Sequence, residues 1–328
     1  MSSDLTRRDF LRALPVAAAA AACRRRPYRE QDFPLPSRSE VGLFAAADYS
    51  VDLADVISRG LNLLHPAVRG RAVLLKPNIV EYDSGEVINA HPLVIAGAAV
   101  AFLRAGASEV VVAEGSGNRR DIEYLLTASG LYEHLRELKV RFVDLNHDDA
   151  KAVPLKSRFT GLNELWLPLE VLRADLVVSV GKLKMHHWAG MTASMKNLFG
   201  AVPGAVYGWP KNLLHFRGIH QSILDLNSTI KPGFCIVDAI VAMEGDGPIS
   251  GRGRSLGLVA MGCDLTAVDA TCARIIGLDP AKLLYLAEAA HFLGNADEHR
   301  IDQRAESPAR FHARLDVPPH LEHLRKVT

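Results

Sequence analysis

Four cysteines in 328 residues, none in a Cys-x-x-Cys pair, leave an iron–sulfur cluster, a haem attachment site and a zinc ribbon without their ligands. Neither sign of charge is in surplus, with 38 Lys and Arg against 37 Asp and Glu. The basic excess needed for counterion-release binding is therefore missing, and no nucleic-acid partner is expected. There is no Gly-x-Ser-x-Gly elbow of a serine hydrolase. Gly115-Ser116-Gly117 lacks the further glycine of a dinucleotide fingerprint and any Gly-Lys-Ser/Thr, so no nucleotide cofactor is expected either. What remains, 48% hydrophobic and 23% charged, is the composition of an ordinary globular protein able to bury its own core.

The N-terminus departs from this evenness. Residues 1–26 carry six arginines and two aspartates, and Thr6-Arg7-Arg8-Asp9-Phe10-Leu11-Arg12 before the alanine-rich run 13–22 matches a twin-arginine export signal. The run is too short to anchor the chain across a bilayer. Residues 1–22 are read as a signal peptide, which makes the twin-arginine translocase a partner during export. Cys23 after Ala20-Ala21-Ala22 reads either as a lipoprotein cysteine, attaching the protein to a membrane, or as part of an ordinary Ala-x-Ala cleavage site. The expected location is periplasmic or membrane-anchored outside the cytoplasm. Residues 23–40, with Pro27, Pro34, Pro36, Ser37 and Ser39, read as a linker. Cys235, Cys263 and Cys272 lie in apolar segments and are expected as buried thiols.

From residue 41, short apolar runs alternate with amphipathic stretches. The runs 41–46, 72–75, 109–113, 140–143, 175–180, 234–237 and 256–261 predict strands covered on both faces. Helical spacing is present over 53–64, 92–104, 122–129, 191–199, 218–227, 265–276 and 282–292. The alternation predicts an α/β fold with a largely parallel, mixed sheet layered by helices, over 41–300. A composition break near 146–170 is read as a lobe boundary, and 301–328 as a C-terminal extension.

Ligands collect at the carboxyl ends of such strands, and polar residues are concentrated there. Lys76-Pro77-Asn78 and Glu114-Gly115-Ser116-Gly117 follow two strands, and Gly181-Lys182-Leu183-Lys184-Met185-His186-His187-Trp188 follows a third. Together with His91-Pro92, Thr192, Lys196-Asn197-Leu198-Phe199-Gly200, His215, His220, Asp238 and Met243-Glu244-Gly245-Asp246-Gly247-Pro248, this set resembles the domain-of-unknown-function 362 family (DUF362). The resemblance runs from about residue 41 to about 295. It implies a shared site over these motifs and carries no iron–sulfur chemistry to this chain, which lacks the ferredoxin-like cysteines of some relatives.

Read by residue type, Lys182, Lys184, His186, His187, Lys196 and Asn197 suit a phosphate or carboxylate held by ammonium groups and helix N-terminal amides. Lys76, Asn78, Lys182, Lys196, Asn197 and His91 are the candidate substrate-binding residues. His186, His187 and Lys184 are the candidate catalytic ones, since imidazole moves protons near neutral pH. Lys76-Pro77 also fits a plain strand-ending turn, and His91 a helix start. Asp238, Glu244 and Asp246, with His215 and His220, are candidate ligands of a divalent metal. The spacing of that last pair points to one functional and one structural histidine rather than a shared metal. Asp264 is expected to cap a helix. The combined expectation is an exported enzyme acting on a small anionic ligand by metal-assisted hydrolysis or acid–base chemistry. A non-catalytic anion- or metal-binding module and an assembly factor for an exported redox enzyme are the alternatives.

Overall fold

The computed structural model describes residues 26–85, 87–117 and 121–326. The twin-arginine stretch and Cys23 lie outside the described residues. Eight strands form the line of the central sheet: β1 (Ser39–Ala45), β2 (Ala72–Pro77), β3 (Glu109–Glu114), β4 (Phe142–Asp144), β7 (Leu176–His186), β9 (Phe234–Asp246), β10 (Ser250–Gly262) and β11 (Ile301–Ala305). Their order is β11-β1-β10-β9-β7-β2-β3-β4, and β8 (Gly190–Thr192) adds to β7 as a ninth strand. β5 (Ala150–Pro154) and β6 (Glu164–Pro168) pair separately. Five pairings in the central sheet are parallel and three antiparallel, so the sheet is mixed and largely parallel, as the spacing predicts.

Strand alternation divides the core between two faces. On β9, Phe234 and Ile236 join one apolar cluster, while Cys235 and Val237 join the other. Helices α1 (Leu53–Leu64), α2 (Pro92–Arg104), α3 (Ile122–Ala128) and α4 (Leu131–Leu138) cover the first face. Helices α5 (Ile219–Ile230), α6 (Leu265–Ile275) and α7 (Leu284–Ala289) cover the second. α1 shows why its span folds: Leu53, Val56, Ile57, Gly60, Leu61 and Leu64 make one buried stripe at helical spacing. Asp52 caps it by accepting from the Asp55 amide at 2.9 Å. Asp264 caps α6 as expected, accepting from the Ala267 amide at 3.1 Å.

Several expectations change in the folded chain. The helix expected over 191–199 is instead the hairpin strand β8 followed by a 3-10 turn, Lys196–Ala201. Its cause is Asp269, which takes the amides of Ser194 and Met195 and the Ser194 hydroxyl, so those groups are unavailable to an α-helix. The helix expected over 282–292 contracts to α7 after a 3-10 turn at Pro280–Lys282. Cys235 and Cys272 are buried, but Cys263 is exposed at the end of β10. The segment read as a linker is docked where described: Tyr28 stacks on Phe292 with ring centroids 4.1 Å apart, and Phe33 is buried. Residues 146–170 contain the β5–β6 hairpin, and the central sheet takes strands from both sides of it. Past residue 300, β11 pairs in parallel with β1 and so joins that sheet.

Candidate anion-binding site

After β2 the chain adds β3 and then β4 on one side, and later returns to lay β7 on the other side of β2. The strand order reverses at β2, and a doubly wound sheet opens a crevice at the carboxyl ends of the strands at such a point. A cavity of about 230 Å³ lies there. The β2 end gives it Lys76 and Asn78, the β3 end Glu114, the β7 end Lys184 and His186, and the 3-10 turn Lys196 and Asn197. β7 passes from core to site on a single face. Leu176, Val178 and Val180 pack in the core, and the same alternation then presents Lys182, Lys184 and His186.

Among the described residues, four lysines line the cavity, Lys76, Lys184, Lys196 and Lys211, against one carboxylate, Glu114. Lys76 Nζ donates to Glu114 Oε2 at 2.8 Å, and Glu114 Oε2 also accepts the Ile79 amide at 2.8 Å. Asn197 ties the floor together: its Oδ1 accepts from Lys76 Nζ at 3.2 Å and Asn78 Nδ2 at 3.1 Å. Its Nδ2 donates to the Lys76 carbonyl at 2.9 Å. Gly200 is required beside this pair, because a Cβ there would stand 1.9 Å from Glu114 Oε1 and 2.7 Å from Lys76 Nζ. Lys184 Nζ donates to the Ile88 carbonyl at 2.8 Å and has no ion pair among the described residues. Lys211 reaches Asn146 Oδ1. The Lys196 ammonium sits 4.2 Å from the centroid of the Phe199 ring, with no hydrogen-bond partner among the described residues. Asn78 Oδ1 and Thr192 Oγ1, on two residues that line the cavity, are buried without a partner.

Burial sets the protonation of these groups. It lowers Lys196 to about 8, helped by Lys76, and it lowers Lys211 to about 8 against the pull of Glu114. Lys184 is held well below the ordinary ammonium range by burial and then by Lys196 and Lys182. The coupled Lys76–Glu114 pair is pushed toward neutrality by burial, each partner partly restoring the other's charge. His186 lies well below its usual value through burial, with Lys196 the next cause. Its Nδ1 accepts the amides of Trp188 and Ala189 at 3.1 and 3.2 Å, which places the proton of the neutral ring on Nε2.

Of the candidate residues, Lys76, Asn78, Lys184, His186, His187, Lys196, Asn197 and His215 line this one cavity. Lys182 and His91 do not. They line a neighbouring cavity with Tyr49, where Lys182 Nζ donates to Asp238 Oδ2 at 3.0 Å and to the Tyr49 hydroxyl at 2.9 Å. His91 caps α2, its Nδ1 accepting from the Leu93 amide at 3.2 Å, while its ring stacks on Tyr49 at 3.8 Å.

Among the described residues, the five candidate metal ligands do not form one group. Asp238 is taken up by Lys182 at 3.0 Å, and Glu244 by Arg252 at 2.9 Å and the Asp316 amide at 3.0 Å. Asp246 is exposed, and His220 packs beside Tyr285 with its Nδ1 unpartnered. Among the described residues, no three His, Cys, Asp or Glu side chains gather as a metal-ligand group. Helix N-terminal amides are also absent from Lys196 and Asn197, which stand on a 3-10 turn. Among the described residues, the basic side chains lining this cavity are lysines and histidines.

Glu114, Thr192 and Trp188 stand in the motifs that the sequence singles out, without an assigned role there, and Lys211 stands outside those motifs. Glu114 carried a signal, being a carboxylate at a strand end beside glycine, but it was absorbed into a turn. Lys211 carried none, since the basic run at 182–196 shares no spacing with it.

The family model described as Domain of unknown function (DUF362) matches residues 73–274. A thylakoid-associated protein of Synechocystis sp. is 31% identical over 225 residues, covering 66% of this chain and 67% of the relative. Among solved structures, the lactate racemase apoprotein of Thermoanaerobacterium thermosaccharolyticum is 13% identical, with a TM-score of 0.46 over 74% of this chain and 59% of that one. A protein from Thermotoga maritima is 14% identical, with a TM-score of 0.39 over 68% of this chain and 57% of its own. The chain thus spans less than two thirds of either solved chain.

Proposed function

The chain belongs to the DUF362 family, and from that premise we propose that its lysine-lined cavity binds a small phosphate or carboxylate and performs acid–base chemistry on it. One observation carries the reading: among the described residues, four lysines and one carboxylate line one cavity, an excess of basic groups that an anionic ligand complements. Lys196 and Lys211 hold the anion. Asn78 Oδ1 and Thr192 Oγ1, both buried without partners, call for a hydroxyl or other donor on the same ligand.

The chemistry follows from protonation. Lys184, held below the ordinary ammonium range by burial, gives up its proton more readily than an exposed lysine, and its neutral amine form accepts a proton from bound ligand. His186, neutral with its proton on Nε2, donates a hydrogen bond to oxygen where negative charge develops; a depressed imidazole is better suited to this than to acting as a base. This division favours proton abstraction beside a carboxylate over hydrolysis. The test is solvent exchange: carboxylates and phosphate esters incubated in deuterium oxide, followed by proton and phosphorus NMR. Exchange is expected with the intact protein and should fall at least about hundredfold in Lys184→Met, with ligand still bound. Binding without exchange or hydrolysis across the panel would make this a binding module.

We further place this chemistry outside the cytoplasm. The Arg7-Arg8 pattern supports twin-arginine export, Cys23 offers a lipid attachment point, and the relative's thylakoid association is in keeping with a membrane surface. No described helix is long and apolar enough to cross a membrane. Arg7→Lys/Arg8→Lys should hold the protein in the cytoplasmic fraction, and Cys23→Ala should release it from membranes. Unchanged fractionation of both variants overturns the assignment.

A further inference from the structure

The lysine floor is only half of the cavity. Its walls and mouth are apolar: Phe199, Pro210, Pro248 and Ile249 line it together with Trp188. Trp188 is 61% exposed although its indole lies 5.6 Å from the His215 ring inside the cavity. The short helix Asn212–Phe216, which supplies His215, also carries Leu213 and Phe216 on the protein surface. Phe216 is 86% exposed. Trp188 and Ile249, large apolar side chains left partly in water at the edge of a charged pocket, have a cost that a ligand can relieve. A bare inorganic anion would engage the lysines and leave these side chains unused.

From this juxtaposition we infer that the ligand is an organic oxyanion with an apolar, preferably aromatic, body. Its charged group sits between Lys196 and Lys211, and its body lies against Trp188, Phe199 and Ile249. The inference rests on the anion-site reading above and deepens it by naming the substrate class. Aromatic walls favour a planar body over a branched one, because offset stacking on indole and phenyl rings adds to burial.

Calorimetric titration with two pairs of probes tests it: methyl phosphate against phenyl phosphate, and acetate against phenylacetate. The members of each pair carry like charge and differ in apolar body. The aromatic member of at least one pair should bind at least about tenfold tighter, and this ratio should fall toward one in Trp188→Ala and in Ile249→Ala. Both substitutions lie at the mouth, away from the buried floor, and circular dichroism checks that they fold. Equal affinity within both pairs overturns the apolar-body inference and leaves the anion site standing. An unchanged ratio in both variants overturns the assigned wall. Failure of all four probes to bind overturns the anion site, and the inference falls with it.

Discussion

Asp238→Ala should lower the unfolding free energy by about 3–5 kcal/mol, read as a shift of the urea midpoint, because it breaks a wholly buried ion pair on one side only. Neither partner of the Lys182–Asp238 pair is exposed at all. The carboxylate also accepts from the Tyr49 hydroxyl at 3.1 Å, the His91 amide at 2.9 Å and the Ile240 amide at 3.2 Å. All of these donors would lose their acceptor inside the protein, where water cannot replace it. Lys182 would be left as an uncompensated buried ammonium, or as a neutral amine. Asp238→Asn, which keeps the shape and removes the charge, should fall between the two. The same measurement separates this role from metal ligation. A chelator should leave the wild-type midpoint unchanged; if it removed as much stability as the substitution does, Asp238 would be a cation ligand after all.

How much of this was legible in advance depended on whether the signal was local. α1 and α2 match the spans expected from their apolar spacing, and the central strands were found because runs such as 109–113 and 234–237 are short, apolar and bounded by turns. β7 was read only to residue 180. Its second half alternates Lys182, Leu183, Lys184, Met185 and His186 with the strict period of a strand, but lysines on a buried face contradict the burial rule, so spacing alone does not predict a strand there. Functional sites are where such local conflicts are expected, since charge is kept there at the expense of stability. The partition of the lysines was not legible at all. Lys182 and Lys184 are two residues apart on one strand face, and what separates their roles is Asp238, which the parallel β7–β9 pairing places opposite Lys182. The same holds for the candidate metal ligands. Asp238, Glu244 and Asp246 are close in sequence, but the fold gives Asp238 to Lys182 and Glu244 to Arg252 and the Asp316 amide, while Asp246 is exposed.

The cluster at the cavity makes anion affinity a function of pH with a defined sign. Burial lowers Lys196 and Lys211 to about 8 in the free protein, and an anion between them favours their charged forms, so bound lysines titrate higher than free ones. Affinity is therefore full below about pH 8, where both ammonium groups are already charged, and falls as pH rises through that value. One lysine gives about a tenfold loss by pH 9, and two acting together give about a hundredfold loss. Sulfate is a suitable probe, because its own charge does not change over this range. Near pH 8 each lysine is about half protonated before binding and charged afterwards, so binding should take up about one proton in total. Titration calorimetry in buffers of different ionisation heat reads that uptake directly. Lys196→Met should weaken sulfate binding by roughly thirtyfold to a thousandfold at pH 7, and should reduce the proton uptake at pH 8 to about half of the wild-type value. Affinity that stays flat from pH 6 to pH 10, or proton release in place of uptake, would show that these lysines do not face the anion.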